Sequence, residues 1–128
     1  MSIQIALESL CGSILSVNRN IQSVAVISNK GRAIEKMSRP KFTKQFPDYM
    51  NELFCMQCVL QVSMGRDFDE NYGPINYPMS ERTSFTTLTF PVDDNVILVT
   101  TNKNISPITL ARKVVKIIDD HRKTIVLI

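Results

Sequence analysis

The feature that most constrains the fold is a pair of adjacent segments, residues 83–92 and 96–101, separated by a turn at residues 93–95. Both segments consist mainly of Thr, Phe, Leu, Val and Ile, which favour the pleated, half-buried surface of a β-strand. The turn contains only Asp and Asn, whose short side chains bond to nearby backbone groups. Residues 96–99 are apolar on both faces, as is typical of a strand covered on both sides. The sequence therefore predicts a hairpin whose second strand lies in the middle of a sheet.

Three further strands are predicted. Residues 23–28 are apolar and β-branched, Gly31 supplies the positive φ of the turn that follows, and residues 32–38 return with Glu and Lys among apolar residues. Such a mixed composition is typical of an edge strand. Residues 75–79 form a short strand, and Pro78 places it at an edge because proline lacks a backbone donor.

Apolar residues spaced three and four apart predict three helices, over residues 2–17, 47–71 and 107–122. Gly73 and Pro74 form a stop signal after the middle helix. The predicted order is α-β-β-α-β-β-β-α. Because hairpins join most of the strands, we expect an α+β fold with a five-stranded antiparallel sheet and helices on its faces.

The middle helix is apolar on two faces, one carrying Leu53 and Leu60 and the other carrying Phe54 and its neighbours. One sheet covers only one face, so we expect a second copy of the chain to cover the face of Phe54. If the protein is monomeric, the apolar tail at residues 124–128 is the candidate cover; that tail either extends the last helix or packs back. The predicted dimer interface comprises Phe54, Cys55, Cys58, Val59, Val62, Ile75, Tyr77 and Met79.

The sequence offers little catalytic or metal-binding chemistry. Cys55 and Cys58 form a CxxC motif, but redox dithiols sit at helix N-termini, and these lie at least two turns inside the predicted helix. A closed zinc site takes four ligands, and the chain has only these cysteines, Cys11 and His121, unless two copies share a site. We interpret the cysteines as packing residues. The single histidine permits no triad, so we expect no enzyme, cofactor or metal.

Two charged stretches can each be interpreted as a binding site or as ordinary charged surface. Asp93 and Asp94 are interpreted as a solvated turn and not as a metal pair. The basic stretch from Lys30 to Lys44, which includes Lys41, is opposed only by Glu35 and is either an edge that resists aggregation or a surface for an acidic protein, nucleic acid or membrane headgroups. No aromatic platform interleaves it, which disfavours single-stranded nucleic acid. The predicted partner-binding residues are Lys30, Arg32, Lys36 and Arg39.

Length and composition limit which classes of protein the chain can belong to. At 128 residues the chain is expected to form one domain, spanning residues 1–128. It has no run of about twenty apolar residues for a membrane span and no basic start typical of a secretory signal. Three cysteines form no disulfide framework, which indicates a reducing cytoplasm. A net charge of +3 is too small to imply nucleic acid by itself.

Several segments resemble the roadblock (dynein light chain) family, within the wider profilin-like and longin-like folds. They are VAVISNKGRAIE at residues 24–35, the middle helix with its Gly-Pro exit, and FTTLTFPVDDNVILVTT at residues 85–101 followed by a Ser-Pro helix start. The helix exit is also similar to a small archaeal group of this type. The resemblance covers nearly the whole chain. It implies strand order 2-1-5-4-3, homo- or heterodimers, a scaffold role and often a small GTPase partner.

Two alternatives from other functional classes stay open. One is a small-molecule-sensing module of the profilin or PAS-like kind, with a pocket between sheet and helix. The other is a nucleic-acid-associated protein that uses the basic edge.

Overall fold

The computed structural model describes residues 3–42 and 48–122. The predicted helix start at residue 47, Lys44 of the basic stretch and the apolar tail at residues 124–128 lie outside these ranges. The elements are α1 (Ile3–Leu15), β1 (Ile21–Ile27), β2 (Ala33–Ser38), α2 (Asp48–Gly65), α3 (Asp69–Tyr72), β3 (Met79–Glu81), β4 (Thr86–Val92), β5 (Asn95–Thr101) and α4 (Pro107–Asp120), with 3₁₀ turns at Pro40–Phe42 and Arg66–Phe68.

The five strands form one antiparallel sheet in the order β2-β1-β5-β4-β3. This confirms the predicted fold class and strand order, with β5 at the centre and β2 at an edge. All four residues from Val96 to Val99 are buried. They are buried because α1 and α4 pack on one face of the sheet while α2 packs on the other.

Strand alternation divides the interior into two cores. On the first face, Val99 of β5 and Phe90 of β4 pack with Leu10 of α1 and Leu110 of α4 in a large core. On the opposite face, a smaller core consists of Ala25, Ile27, Val96 and Leu98 from the sheet and Cys58 and Val62 from α2. The smaller core is the one that positions α2.

Two predicted boundaries are wrong around the exit of α2. The α-helix α2 ends at Gly65 and not at residue 71, although helical turns continue through Arg66–Phe68 and Asp69–Tyr72 to the predicted stop at Gly73, whose φ is +83°. A Cβ at Gly65 would lie 2.6 Å from Ile75 Cδ1, so the glycine admits the returning chain. Strand β3 begins at Met79 and not at residue 75. Pairing with β4 starts where the Pro78 carbonyl accepts a hydrogen bond from the Thr89 amide, at 2.9 Å.

Arg39 ties α1 to the sheet. Its Nη2 donates to the carbonyl oxygens of Leu15, at 2.7 Å, and Asn18, at 3.0 Å, while its Nε donates to the Ile21 carbonyl at 2.7 Å. Leu15 is the last residue of α1, and carbonyls at a helix C-terminus have no partner within the helix. The guanidinium supplies that partner and fixes the connection between α1 and β1.

We expect Arg39→Ala to lower the free energy of unfolding by about 2 kcal/mol, because half-buried carbonyls lose a charged donor. Arg32→Ala is the matched control, since Arg32 is exposed. Urea unfolding followed by circular dichroism measures both variants. Equal stability of the two variants would show that the Arg39 hydrogen bonds contribute nothing.

The three cysteines differ in burial. Cys11 lies in the large core and Cys58 in the smaller one, as the packing interpretation predicted, whereas Cys55 is half-buried. Burial raises the pKa of Cys11 to about 12, and burial together with the neighbouring Cys55 raises that of Cys58 to about 11. Burial also raises the pKa of Cys55. All three are therefore thiols at neutral pH.

In the folded protein we expect Cys55 to react with iodoacetamide before the other two cysteines, because only thiolates are nucleophilic and Cys55 is the most accessible. Cys11 and Cys58 should react about a hundredfold more slowly until the chain is unfolded. Mass spectrometry of timed samples follows each site, and Cys55→Ser should remove the fast phase. Three equal rates in the folded protein would be incompatible with these burial values.

Candidate functional site

The side of α2 that packs on the sheet is the reverse of the one predicted. Cys58 and Val62, each 6% exposed, lie in the smaller core, with Phe54, Cys55 and Val59 half-buried against it. The face expected to meet a second copy therefore meets the chain's own sheet. The distance between packed elements depends on the side chains in contact, and a Cys and a Val approach a sheet more closely than Leu and Met do.

The opposite side of α2 is exposed and apolar. Leu53 is 66% exposed and Met64 is 68% exposed. From residue 49 to residue 65, Glu52 is the only charged side chain. A contiguous exposed apolar surface on a small protein is typical of an interaction site. We call this surface the outer stripe, and it consists of Tyr49, Met50, Leu53, Met56, Leu60, Met64 and Phe68.

A groove runs beside the outer stripe. Because α2 packs over β1 and β5, the same face of β3 and β4 forms the floor of an open groove of about 430 Å³. The helix side is largely apolar, and the strand side carries hydroxyl groups. The lining residues are Phe54, Gln57, Cys58, Leu60, Gln61 and Met64 from α2, with Ser80, Arg82, Thr87 and Thr89 from the strand side.

Sequence reasoning missed most of this groove. Thr87 and Thr89 alternate with Leu88 and Phe90 along β4, so their shared face was visible in the sequence. Nothing local, however, shows that α2 leaves this face open. Gln57 and Gln61, one turn apart, line the same groove and were visible only as polar interruptions of an apolar helix.

The three interface residues predicted outside α2 lie in different places. Met79 is exposed in β3, at the edge of the sheet. Ile75 is exposed beside Gly65. Tyr77 packs on Phe90, with ring centroids 5.6 Å apart, against the large core. Tyr77 was therefore wrongly grouped with α2, because it lies on the face of the sheet opposite that helix.

The fold places the residues of the predicted basic stretch in different environments. Lys30, Arg32 and Lys36 are exposed. Arg39 was wrongly included, since its guanidinium bonds to the chain's own backbone. Glu35, the only acid of the stretch, lies on the α1 face, where its carboxylate accepts a hydrogen bond of 3.0 Å from Gln4. Two other basic residues of the stretch are not part of this group: Lys41 stacks over the Phe42 ring at 5.1 Å, and Lys44 is not described.

The remaining candidate residues form no reactive centre. Arg66 donates to the Asp93 carbonyl and approaches the Asp94 carboxylate at 3.8 Å, which holds the β4–β5 turn against the exit of α2. His121 Nδ1 lies 2.9 Å from the Ile117 carbonyl at the end of α4. Within residues 3–42 and 48–122, no three His, Cys, Asp or Glu side chains converge to hold a metal ion. In the same ranges no helix has the length and apolarity needed to cross a membrane.

No protein-family model matches the sequence, and no curated protein matches it. Solved structures match in fold. The roadblock/LC7 domain from Streptomyces avermitilis has a TM-score of 0.72 at 11% identity, covering 92% of this chain and 96% of that chain. MglB from Myxococcus xanthus has a TM-score of 0.72 at 14% identity, covering 93% and 86%. LokiProfilin2, solved in complex with rabbit actin, has a TM-score of 0.59 at 14% identity, covering 96% and 98%.

At these identities the comparisons establish the fold alone. They confirm the resemblance that the hairpins and the middle helix predicted. The chain has the roadblock/LC7 fold, within the wider profilin-like group.

Proposed function

We propose that this chain is a non-enzymatic regulatory or scaffold module that forms a homodimer and docks a protein partner. The partner class implied by the roadblock resemblance is a small GTPase. The observation that carries the proposal is the uncharged outer stripe of α2, which is exposed over the whole helix beside an open groove. A surface of this kind gains free energy when a partner removes it from water.

The polarity of the groove suits the α2 helix of a second copy. Under a two-fold axis the same residues meet on both sides of an interface. The α2 helix of a second copy would place its Leu60 and Met64 against the apolar wall of the groove. Its Gln57 and Gln61 would face the hydroxyl groups of Thr87 and Thr89. The groove has an apolar wall and a polar wall, and the side of α2 that would enter it has an apolar strip and a polar strip. The two surfaces therefore match in polarity.

The two sheet edges favour the same arrangement. The β3 edge lies beside the groove and exposes Met79. The β2 edge carries exposed Lys36, and exposed Arg32 directly precedes the strand. Like charges at a strand edge oppose pairing between copies. A second copy is therefore expected at the β3 edge, although β3 is only three residues long.

One observation supports a partner other than a second copy. LokiProfilin2, which shares the fold, is solved in complex with actin. This supports the use of the fold as a protein-docking surface, and at 14% identity it does not extend to actin itself. The groove also fits the small-molecule alternative, since about 430 Å³ is within the size range of ligand pockets. A ligand and a second copy would compete for the same residues.

We expect the wild-type protein to form a dimer of twice the 14.5 kDa chain mass, and Leu60→Glu to give folded monomers. A carboxylate in the apolar wall would be removed from water in both copies and would lose the apolar contact that Leu60 makes, which should weaken association at least about a hundredfold. Ser63→Glu is the matched control, because Ser63 is exposed on the same helix and does not line the groove. Light scattering with circular dichroism separates the cases. A monomeric wild-type protein at high concentration would refute the homodimer.

A small GTPase partner is expected to depend on Leu53, which lies on the outer stripe and outside the groove. Leu53→Glu should leave the fold and the dimer intact and weaken GTPase binding at least about tenfold. Interferometry with small GTPases of the same organism, loaded with GDP or a GTP analogue, measures the effect, with Ser63→Glu again as control. Absence of binding to every such GTPase would refute this partner class.

A further inference from the structure

The fold places the basic hairpin directly against α2. An added Cβ at Gly31 would lie 2.7 Å from Met56 Cε and 3.2 Å from Met56 Cα, so the turn between β1 and β2 touches the helix backbone at Met56. Gly31 has φ of +79°, and any side chain there would be strained as well as blocked. Lys30 and Arg32 flank this contact and are exposed. The turn therefore holds two cations beside the outer stripe.

Lys36 lies on the same side. It pairs with Ala25 across the β1–β2 ladder, and opposite residues of a ladder share a face. Ala25 belongs to the smaller core under α2, so Lys36 projects on the α2 face. Its charge acts on the Cys55 thiol: burial raises the pKa of Cys55, and Lys36 opposes part of that rise.

These cations have no carboxylate partner among the side chains that the structure describes. None of Lys30, Arg32 and Lys36 forms an ion pair with a side chain described between residues 3 and 42 or 49 and 122. Glu52, whose charge also acts on Cys55, is the carboxylate that the described side chains place on this side. Glu35 is held on the opposite face by Gln4. The described side chains therefore form a net positive surface that borders the uncharged, exposed Tyr49 and Met56.

We infer that this surface, the basic flank (Lys30, Arg32, Lys36, Tyr49 and Met56), docks an amphipathic helix whose apolar ridge is bordered by carboxylates. The inference rests on the proposed function, because it names the chemistry of the docked partner. Tyr49 and Met56 are seven residues apart, two helical turns, so they suit a helical ridge that crosses α2. The cations border one side of that ridge and select against basic partners.

The basic flank and the groove lie on opposite sides of α2. The groove opens toward β3 and β4, whereas the hairpin lies beyond β1 at the other end of the sheet. A second copy in the groove therefore leaves the basic flank accessible. Dimerisation and partner docking are compatible in one assembly, and each can be removed without the other.

The test uses a labelled helical peptide of about 18 residues, with leucine on one face and glutamate along its borders, and fluorescence anisotropy at low and high salt. We expect binding that weakens with salt. Changing Lys30, Arg32 and Lys36 together to Ser should weaken it at least about tenfold. The matched control changes Arg112, Lys113 and Lys116 to Ser, which are exposed on α4, and should retain the affinity. A peptide with lysine in place of glutamate should not bind.

Three outcomes would overturn the inference. They are equal binding of the glutamate and lysine peptides, an unchanged affinity of the basic-flank variant, and binding only to phosphatidylserine vesicles or to a single-stranded oligonucleotide. Light scattering on the same samples keeps this inference separate from the proposed function. A dimer that ignores the glutamate peptide refutes the docking inference alone, whereas a monomer that binds it refutes the homodimer alone.

Discussion

The packing of Cys58 and Val62 on the sheet is the contact on which the rest of this surface depends. It fixes α2 over β1 and β5 and turns the outer stripe away from the sheet. It leaves the groove on the side of β3 and β4 and brings Met56 against the turn at Gly31 on the other side. Rotation of α2 by half a turn would bury Leu60 and expose the α2 residues of the smaller core, and both proposed docking surfaces would be lost.

The strands, the central place of β5 and the edge place of β2 could be predicted because the signals are local, whereas the full strand order was implied by the roadblock resemblance. Alternation along β4, the unbroken apolar run in β5 and the acidic turn between them are properties of neighbouring residues. The same holds for Gly31, whose positive φ the hairpin requires. The exchanged faces of α2 could not be predicted in this way. Both faces are apolar, and the choice between them depends on the fit of Cys58 and Val62 to the sheet residues Ala25, Ile27, Val96 and Leu98.

The environments of the charged residues also could not be predicted from the sequence. Lys30, Arg32 and Arg39 look alike in sequence, yet the Arg39 guanidinium donates to carbonyls of α1, of the loop after it and of the first residue of β1. Glu35 stands among the basic residues in sequence, but in the fold it lies on the other face of the sheet. Groove residues such as Thr87 and Gln61 come from distant segments and meet only after α2 has packed. Residues brought together by tertiary contacts carry no pattern that the sequence alone displays.

The central claim is that one side of α2 packs on its own sheet while the groove side meets a second copy. An isotope-filtered NOE experiment on mixed labelled and unlabelled protein tests it most directly. The methyl groups of Leu60 and Met64 are expected to show NOEs to the other copy, whereas those of Val62 should show only contacts within the chain, to Val96 and Leu98. NOEs between copies from Val62, or none from any methyl group of α2, would contradict this arrangement.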